Sequence, residues 1–226
     1  GHGFDVAGSN QLFPFFPPRA SPLYPMSSSR CHLVFISSCP DAWGGSEELW
    51  AGAALRLHQW GHQVTVGRSF PMPGGRKHAR WSDLRQAGLT VEHFGTSWLS
   101  RTLPEVLLAL CPGLLRAVWW MRNLLLALKL RRRSPHLVVI CQGQAYDACF
   151  PFSLPEVCRF ARIPYVLVCQ KASELEWPSD GLRDLLRCCY GGALGAYFVS
   201  NHNRRTVEQQ LAMTIDHAEV VQNPFM

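Results

Sequence analysis

Short apolar runs recur along the chain, each followed by a longer stretch in which apolar residues return every three or four positions. Residues 31–37 (CHLVFIS) form the first run, too short for a helix and rich enough in Val, Phe and Ile for a buried strand. A loop through Gly44 and Gly45 follows, and then residues 46–60, where Leu49, Ala53, Leu57 and Trp60 recur at helical spacing. Ser46 is the expected N-cap of that helix and Gly61 its end. Residues 63–67 (QVTVG) then read as a second strand, closing a strand, helix, strand unit of the length that a parallel crossover needs. Further strand-like runs occupy 89–94, 136–141, 165–169 and 196–200. They alternate with helix-like stretches at 103–132, 154–161, 182–190 and 203–211. The runs are continuously apolar, as strands covered on both faces are, so the pattern predicts an α/β fold with a doubly wound, mostly parallel Rossmann-like sheet.

The regular pattern starts only after Arg30. Residues 1–30 are rich in Pro, Ser, Gly and Phe and are expected to be a disordered tail, with Met26 as a candidate true start. Residues 31–226, with 47% hydrophobic residues over the whole chain of 226, suffice for one substantial core and predict one domain. No charged-then-apolar secretory segment opens the chain. The nine cysteines include no CxxC pair, and the nine histidines show no HExxH grouping. That spacing predicts buried free thiols in a reducing, cytoplasmic setting and chemistry without a metal. The net charge of +6 comes from scattered Arg and Lys with one dense run at 129–133, and no basic stripe is interleaved with aromatics. A dedicated nucleic-acid surface is therefore not expected, whereas an anionic phosphate ligand or an anionic membrane face suits the charge. The Leu- and Trp-rich stretch 103–130 is interrupted by Pro112, Arg116, Arg122 and Asn123, which argues against a bilayer span. Two readings stay open for it, a helix packed on the sheet and an amphipathic helix in peripheral contact with anionic lipid.

Ligands of open parallel sheets bind beyond the carboxyl ends of the strands. After the first strand, Gly44 and Gly45 let backbone approach a ligand, and the helix start at Ser46 offers free amides and the positive end of a helix dipole, a combination suited to phosphate. A tight turn is the plainer explanation of the same glycines. A dinucleotide site would need GxGxxG after the first strand and an acidic residue ending the second, and neither is present. Arg68 leaves an NADP-binding oxidoreductase domain as a rival reading. The GxxxxGK[ST] pattern of nucleotide triphosphatases is also missing.

Two segments carry a resemblance. Pro40-Asp41-Ala42-Trp43-Gly44-Gly45-Ser46-Glu47, a helix, and Gly61-His62-Gln63-Val64-Thr65-Val66 resemble the opening of family 4 glycosyltransferases, which have the GT-B fold. Ala196-Tyr197-Phe198-Val199-Ser200, a helix, and Ala218-Glu219-Val220-Val221-Gln222-Asn223-Pro224 resemble that family's last N-domain strands and the junction to its second domain. The resemblance implies a retaining, metal-independent transferase without a cofactor, its nucleotide-sugar donor held mainly by a C-terminal domain and its sugar or lipid-linked acceptor mainly by this half. It places Gly44 and Gly45, with Ser46 and Glu47 beside them, against the donor's diphosphate and sugar. It also implies a C-terminal donor domain beyond Met226, without which this half is expected to be inactive.

The later strand ends supply candidates for the acceptor side of a cleft: Gln142 and Gln144, Gln170, Lys171 and Glu174, and Asn201 and Arg204. Many family members place a His after one of these strands; Gln142 and Gln170 stand there instead, and an amide cannot take up a proton as a general base. No catalytic residue is therefore assigned. A non-catalytic glycan- or partner-binding module is the third reading of the chain.

Overall fold

The computed structural model describes residues 30–39, 43–69, 78–94, 112–149 and 153–222. The predicted tail at 1–29 with Met26, the motif residues Pro40, Asp41 and Ala42, the first part of the long helical stretch at 103–111, and the closing Asn223 and Pro224 lie outside them.

Seven strands form one sheet: β1 (His32–Ser37), β2 (Gln63–Arg68), β3 (Thr90–His93), β4 (Leu137–Gln144), β5 (Tyr165–Lys171), β6 (Ala196–Phe198) and β7 (Ala218–Val220). Their spatial order is β3-β2-β1-β4-β5-β6-β7 and every neighbouring pair is parallel. The order reverses direction between β1 and β4, the topological switch point at which a doubly wound sheet opens a crevice. The described helices are α1 (Gly45–Gln59), α2 (Ala79–Gln86), α3 (Pro112–Arg133), α4 (Leu154–Ala161), α5 (Asp180–Gly191) and α6 (Asn201–Leu211).

Alternate side chains of each central strand enter different layers, because successive residues point to opposite faces. Val34, Ile36, Val138, Ile140 and Leu167 pack with α3 through α6 in the larger cluster. Phe35, Val64, Val66, Val139 and Val166 pack with α1 and α2 in the smaller one. This two-sided cover explains why residues 33–36 of β1 and 137–141 of β4 read as unbroken apolar runs.

The boundaries depart from the expected ones where polar residues continue an element or divert its cap. β4 and β5 run on through Gln144 and Lys171, past the apolar residues that end the recognisable runs. α1 begins at Gly45, not Ser46, and its N-cap is Gly44 in extended conformation. The expected Ser46 cap is not formed, because the Ser46 hydroxyl turns to the carboxylate of Glu47, 2.6 Å away. Helix α6 starts at Asn201, capped by Ser200, whose Oγ accepts the Asn203 amide at 3.1 Å. α2 has no counterpart in the sequence pattern; only Trp81 and Leu84 of its eight residues are buried, which leaves almost no period to read.

Candidate functional site

The carboxyl ends of β1 and β5 and the amino ends of α1 and α6 meet at one edge of the sheet. Gln170, in β5, donates through Nε2 to the carbonyl of Ser46 in the first turn of α1 at 3.3 Å. The carbonyl of Gln170 in turn accepts from Asn203 Nδ2 of α6 at 3.0 Å. Three elements far apart in sequence are thereby tied around the Gly44 and Gly45 turn. The Oε1 of Gln170 is buried and has no hydrogen-bond partner among the described residues, which leaves one acceptor in this seam unclaimed.

The first turn of α1 is held from beneath by Glu47, which is 1% exposed. Its carboxylate accepts from Ser37 Oγ at the end of β1 and from Ser46 Oγ, both at 2.6 Å, and Ser37 Oγ accepts the Cys39 amide at 3.2 Å. The acidic side chain therefore faces the sheet, and the outer side of the turn is backbone. No side chain caps the helix; the Glu47 amide donates to the Gly44 carbonyl at 3.0 Å, and the amides of Gly45 and Ser46 keep their donors for another partner.

The two glycines of this turn are not required by the fold itself. Gly44 has φ −146°, extended backbone open to any residue, and among the described residues a Cβ there would come no nearer than 3.8 Å, to Ser46 Oγ. A Cβ on Gly45 would meet no atom of the described residues within 4 Å. Gly67 is the contrast: a Cβ there would strike the Phe94 ring at 2.6 Å and the backbone carbonyl of Glu92. Gly61 and Gly88, with φ of +91° and +94°, are demanded by left-handed turns. At 44 and 45 the absence of a side chain keeps open space in front of an uncapped helix; Gly181, in the first turn of the likewise uncapped α5, shares this and lies away from the carboxyl edge of β1.

A second network fixes the loop that carries the glycines. Trp43 packs against Trp50, Trp81 and His78, with ring centroids 5.2 to 5.7 Å apart. Its Nε1 donates to Glu48 at 2.8 Å, and Glu48 also accepts from Arg80 Nε at 3.0 Å. The Arg80 guanidinium holds the Glu48 carboxyl below its ordinary range. On the other side, Arg68 ends β2, is 4% exposed, and donates through a terminal nitrogen to the Cys39 carbonyl at 2.6 Å. The loop between β1 and α1 is therefore clamped by α2 and by β2.

No protein-family model matches the sequence, and no curated protein does. Solved structures do match the fold. The glycosyltransferase from Rickettsia africae superposes on 85% of this chain with a TM-score of 0.58 at 10% identity. HepE of Anabaena in complex with UDP matches 86% with a TM-score of 0.54 at 14% identity. The lipopolysaccharide outer core galactosyltransferase WaaB matches 86% with a TM-score of 0.51 at 10% identity. The chain shares the fold of part of these three glycosyltransferases. The chain spans less than half of each of these proteins, between 43% and 46% of their length.

Within this shared fold, the residues singled out from sequence separate into two groups. Gly44, Gly45, Ser46, Glu47 and Gln170 are brought together as described. Lys171 ends β5 exposed; Glu174 is exposed beyond it, 3.4 Å from His202 of α6, and Asn201 is exposed in the first turn of that helix. Gln144 lies near them: with its nitrogen turned outward, its amide reaches the Glu176 carboxylate at 2.8 Å. The other two face elsewhere. Gln142 is 1% exposed, its Oε1 accepting the Ala148 amide at 3.2 Å and its Nε2 donating to the Tyr190 hydroxyl at 3.4 Å, so its amide supports the turn after β4. Arg204 pairs with Glu208 at 3.1 Å and reaches the Ala218 carbonyl at 3.4 Å, which fastens α6 to β7. Arg68, on which an NADP site would depend, is occupied in the β1 to α1 loop.

Ser37, Trp43, Glu48 and Arg80 were not legible as site residues. Each acts through a partner that the fold supplies, and only the tryptophan in a glycine loop gave any signal. The eight described cysteines are free thiols, six of them buried. Burial pushes the thiols of Cys141 and Cys158 well up, so they act as small apolar side chains. Among the described residues no cluster of three or more His, Cys, Asp or Glu is placed to hold a metal.

Proposed function

We propose that this chain is the acceptor-side, N-terminal half of a retaining, metal-independent, GT-B glycosyltransferase of the family 4 kind, which takes a sugar from a nucleotide-sugar donor. The observation that carries this reading is the pair of glycines at 44 and 45, unneeded by the fold and placed before an uncapped helix at the carboxyl edge of the sheet. A diphosphate there would accept from the amides of Gly45 and Ser46, and those fixed dipoles would stabilise the charge that develops on it as the glycosidic bond breaks. HepE has been captured with UDP and with UDP-glucose, ligands of the class proposed here. The acceptor, a sugar or a lipid-linked sugar, would lie beside Gln170, whose free Oε1 suits a hydroxyl donor, with Lys171, Glu174 and Asn201 at the rim. The second half supplies most of the donor site, so transfer by this chain alone is not expected. No cofactor is required, and the free cysteines suit a cytoplasmic setting.

The test separates fold from ligand at the same two residues. Gly45→Ala should leave thermal stability unchanged or slightly raised, since Ala is the better helix former and no described atom obstructs its Cβ, and Gly44→Ala, at the extended N-cap, should cost less than about 1 kcal/mol. The same variants should weaken binding of UDP and UDP-glucose. Equal loss of stability and binding would reduce the glycines to a structural turn, and unaltered binding would remove the diphosphate from this loop.

A further inference from the structure

We propose that α3 docks this protein on an anionic membrane surface, lying along it with one apolar side in the lipid interface and its basic end on lipid phosphates. One side of α3 is buried through Leu126, Ala127 and Leu130. The opposite side should then be polar if it faced water alone. It carries Trp120, Met121, Leu124, Leu125 and Leu128, which are 39% to 58% exposed. At 100° per residue these five fall within roughly 140° of arc, a continuous stripe without a charged residue inside it. Arg131 and Arg132 close the stripe at its carboxyl end; both are exposed and make no ion pair among the described residues. Lys129 and Arg133, on the flank, are instead held by Glu92 of β3.

The composition of the helix selects the occupant. Its 22 residues contain no Asp or Glu, so every charge it offers is positive. An aromatic and leucine stripe with an exclusively cationic end complements an anionic lipid surface, whereas a second protein would have to bring all the opposing charge itself. Among the described residues no helix is long and apolar enough to cross a membrane, so the helix lies on the surface. Beside its basic end is a recess of about 600 Å³, lined by Leu125, Leu128, Lys129, Arg132 and Arg133 of α3 and by His32 and Gln63. Leucines alternating with cationic side chains along one helix suit a phospholipid head group whose chains leave along the leucines. The recess opens by the amino ends of β1 and β2, the opposite edge of the sheet from Gly44 and Gln170, so docking leaves the candidate site free. The inference does not rest on the glycosyl-transfer reading.

The experiment is sedimentation of the chain with phosphatidylcholine vesicles, with and without phosphatidylglycerol, for three proteins: the native chain, Arg131→Gln/Arg132→Gln, and Leu124→Ser/Leu128→Ser. Both substituted pairs are exposed, and an unchanged melting temperature confirms that the fold is kept. The native chain should bind the anionic vesicles far better than the neutral ones. Each cation near an anionic leaflet contributes a factor of about five, so losing two should lower the partition coefficient roughly thirtyfold. Loss of the two leucines should lower it at least about tenfold. Brominated lipid should quench the native fluorescence, and Trp120→Phe should abolish most of that quenching. Absence of binding to anionic vesicles overturns the proposal. Binding that depends on the arginines and not on the leucines or Trp120 overturns it too, since that is surface attraction without insertion. A concentration-dependent dimer lost in the leucine variant, without vesicle binding, would make the stripe a protein interface instead.

Discussion

Removal of the Glu47 carboxylate should cost more than any other single change at the site. Glu47 lies 1% exposed between two hydroxyls, each 2.6 Å from one of its oxygens. A hydrogen bond to a charged group contributes about 1.5–3 kcal/mol, and truncation also strips one buried methylene at about 0.8 kcal/mol. Relaxation at the partly buried Ser46 and the better helix propensity of Ala offset part of this, so Glu47→Ala should lose about 3–5 kcal/mol. Glu47→Gln keeps the volume and can accept from one serine while donating to the other, so it should lose about 1–2 kcal/mol. Urea unfolding gives both values, and a Ser37→Ala, Glu47→Ala cycle should return a coupling energy of about 1.5–3 kcal/mol. A loss below about 1 kcal/mol for Glu47→Ala, or additive effects in the cycle, would refute the view that this carboxylate pins the first turn of α1 to β1.

Gly67→Ala should be severely destabilising, because the new Cβ meets the Phe94 ring at 2.6 Å and a backbone carbonyl that cannot retreat without opening β2 from β3; loss of the cooperative thermal transition at β3 by hydrogen exchange checks it. Arg80→Ala removes a partly exposed partner of Glu48 and should cost only about 0.5–1 kcal/mol by urea unfolding, since its side chain is 40% exposed and solvent screens the pair. Burial lowers the pKa of His32 and of His93 below 6.5, so the unfolded chain takes up these protons first and stability should fall as the pH drops below about 6.5. Unfolding at pH 7 and pH 5.5 should show that slope, and His32→Gln with His93→Gln should remove most of it. The Glu48 carboxyl, held low by Arg80, contributes in a separate window: its share is present above 4.5 and is lost as the pH falls through the lowered value.

The layering of the fold was legible because burial on both faces leaves a direct trace in composition. β1, β4 and β5 each carry four or five consecutive apolar residues, and the longer amphipathic stretches between strands read as crossovers of a parallel sheet. What could not be read is what tertiary partners decide. Gln142 looks like a strand-end ligand residue until the Ala148 amide and the Tyr190 hydroxyl, contributed by later elements, are seen to claim both ends of its amide. Ser46 has the chemistry of a cap, and Glu47 diverts it. Arg204 has the chemistry of a ligand contact, and Glu208 with the Ala218 carbonyl occupies it. α2 was hidden because its apolar face has two residues and its main partner is Trp43, in a loop with no period at all.

The glycine turn shows the same limit from the other side. A Gly pair before a helix predicts either a tight turn or an open phosphate site, and nothing in the residues themselves decides between them. The distinction rests on φ and on the space a Cβ would fill, which separate Gly44 and Gly45 from Gly61, Gly67 and Gly88. The acceptor seam is similar: Gln170 gains meaning only when the Ser46 carbonyl and Asn203 are found on either side of it.

The most direct measurement of the central claim is a nitrogen–proton NMR titration of the labelled chain with UDP, UDP-glucose and NADP, because it reports weak binding residue by residue. The account predicts that UDP and UDP-glucose shift the amides of Gly44, Gly45 and Ser46, that UDP-glucose alone also moves the Gln170 side-chain amide, and that NADP moves neither. Undisturbed amides at 44–46 under saturating UDP-glucose, or an NADP response centred on Arg68, would contradict it.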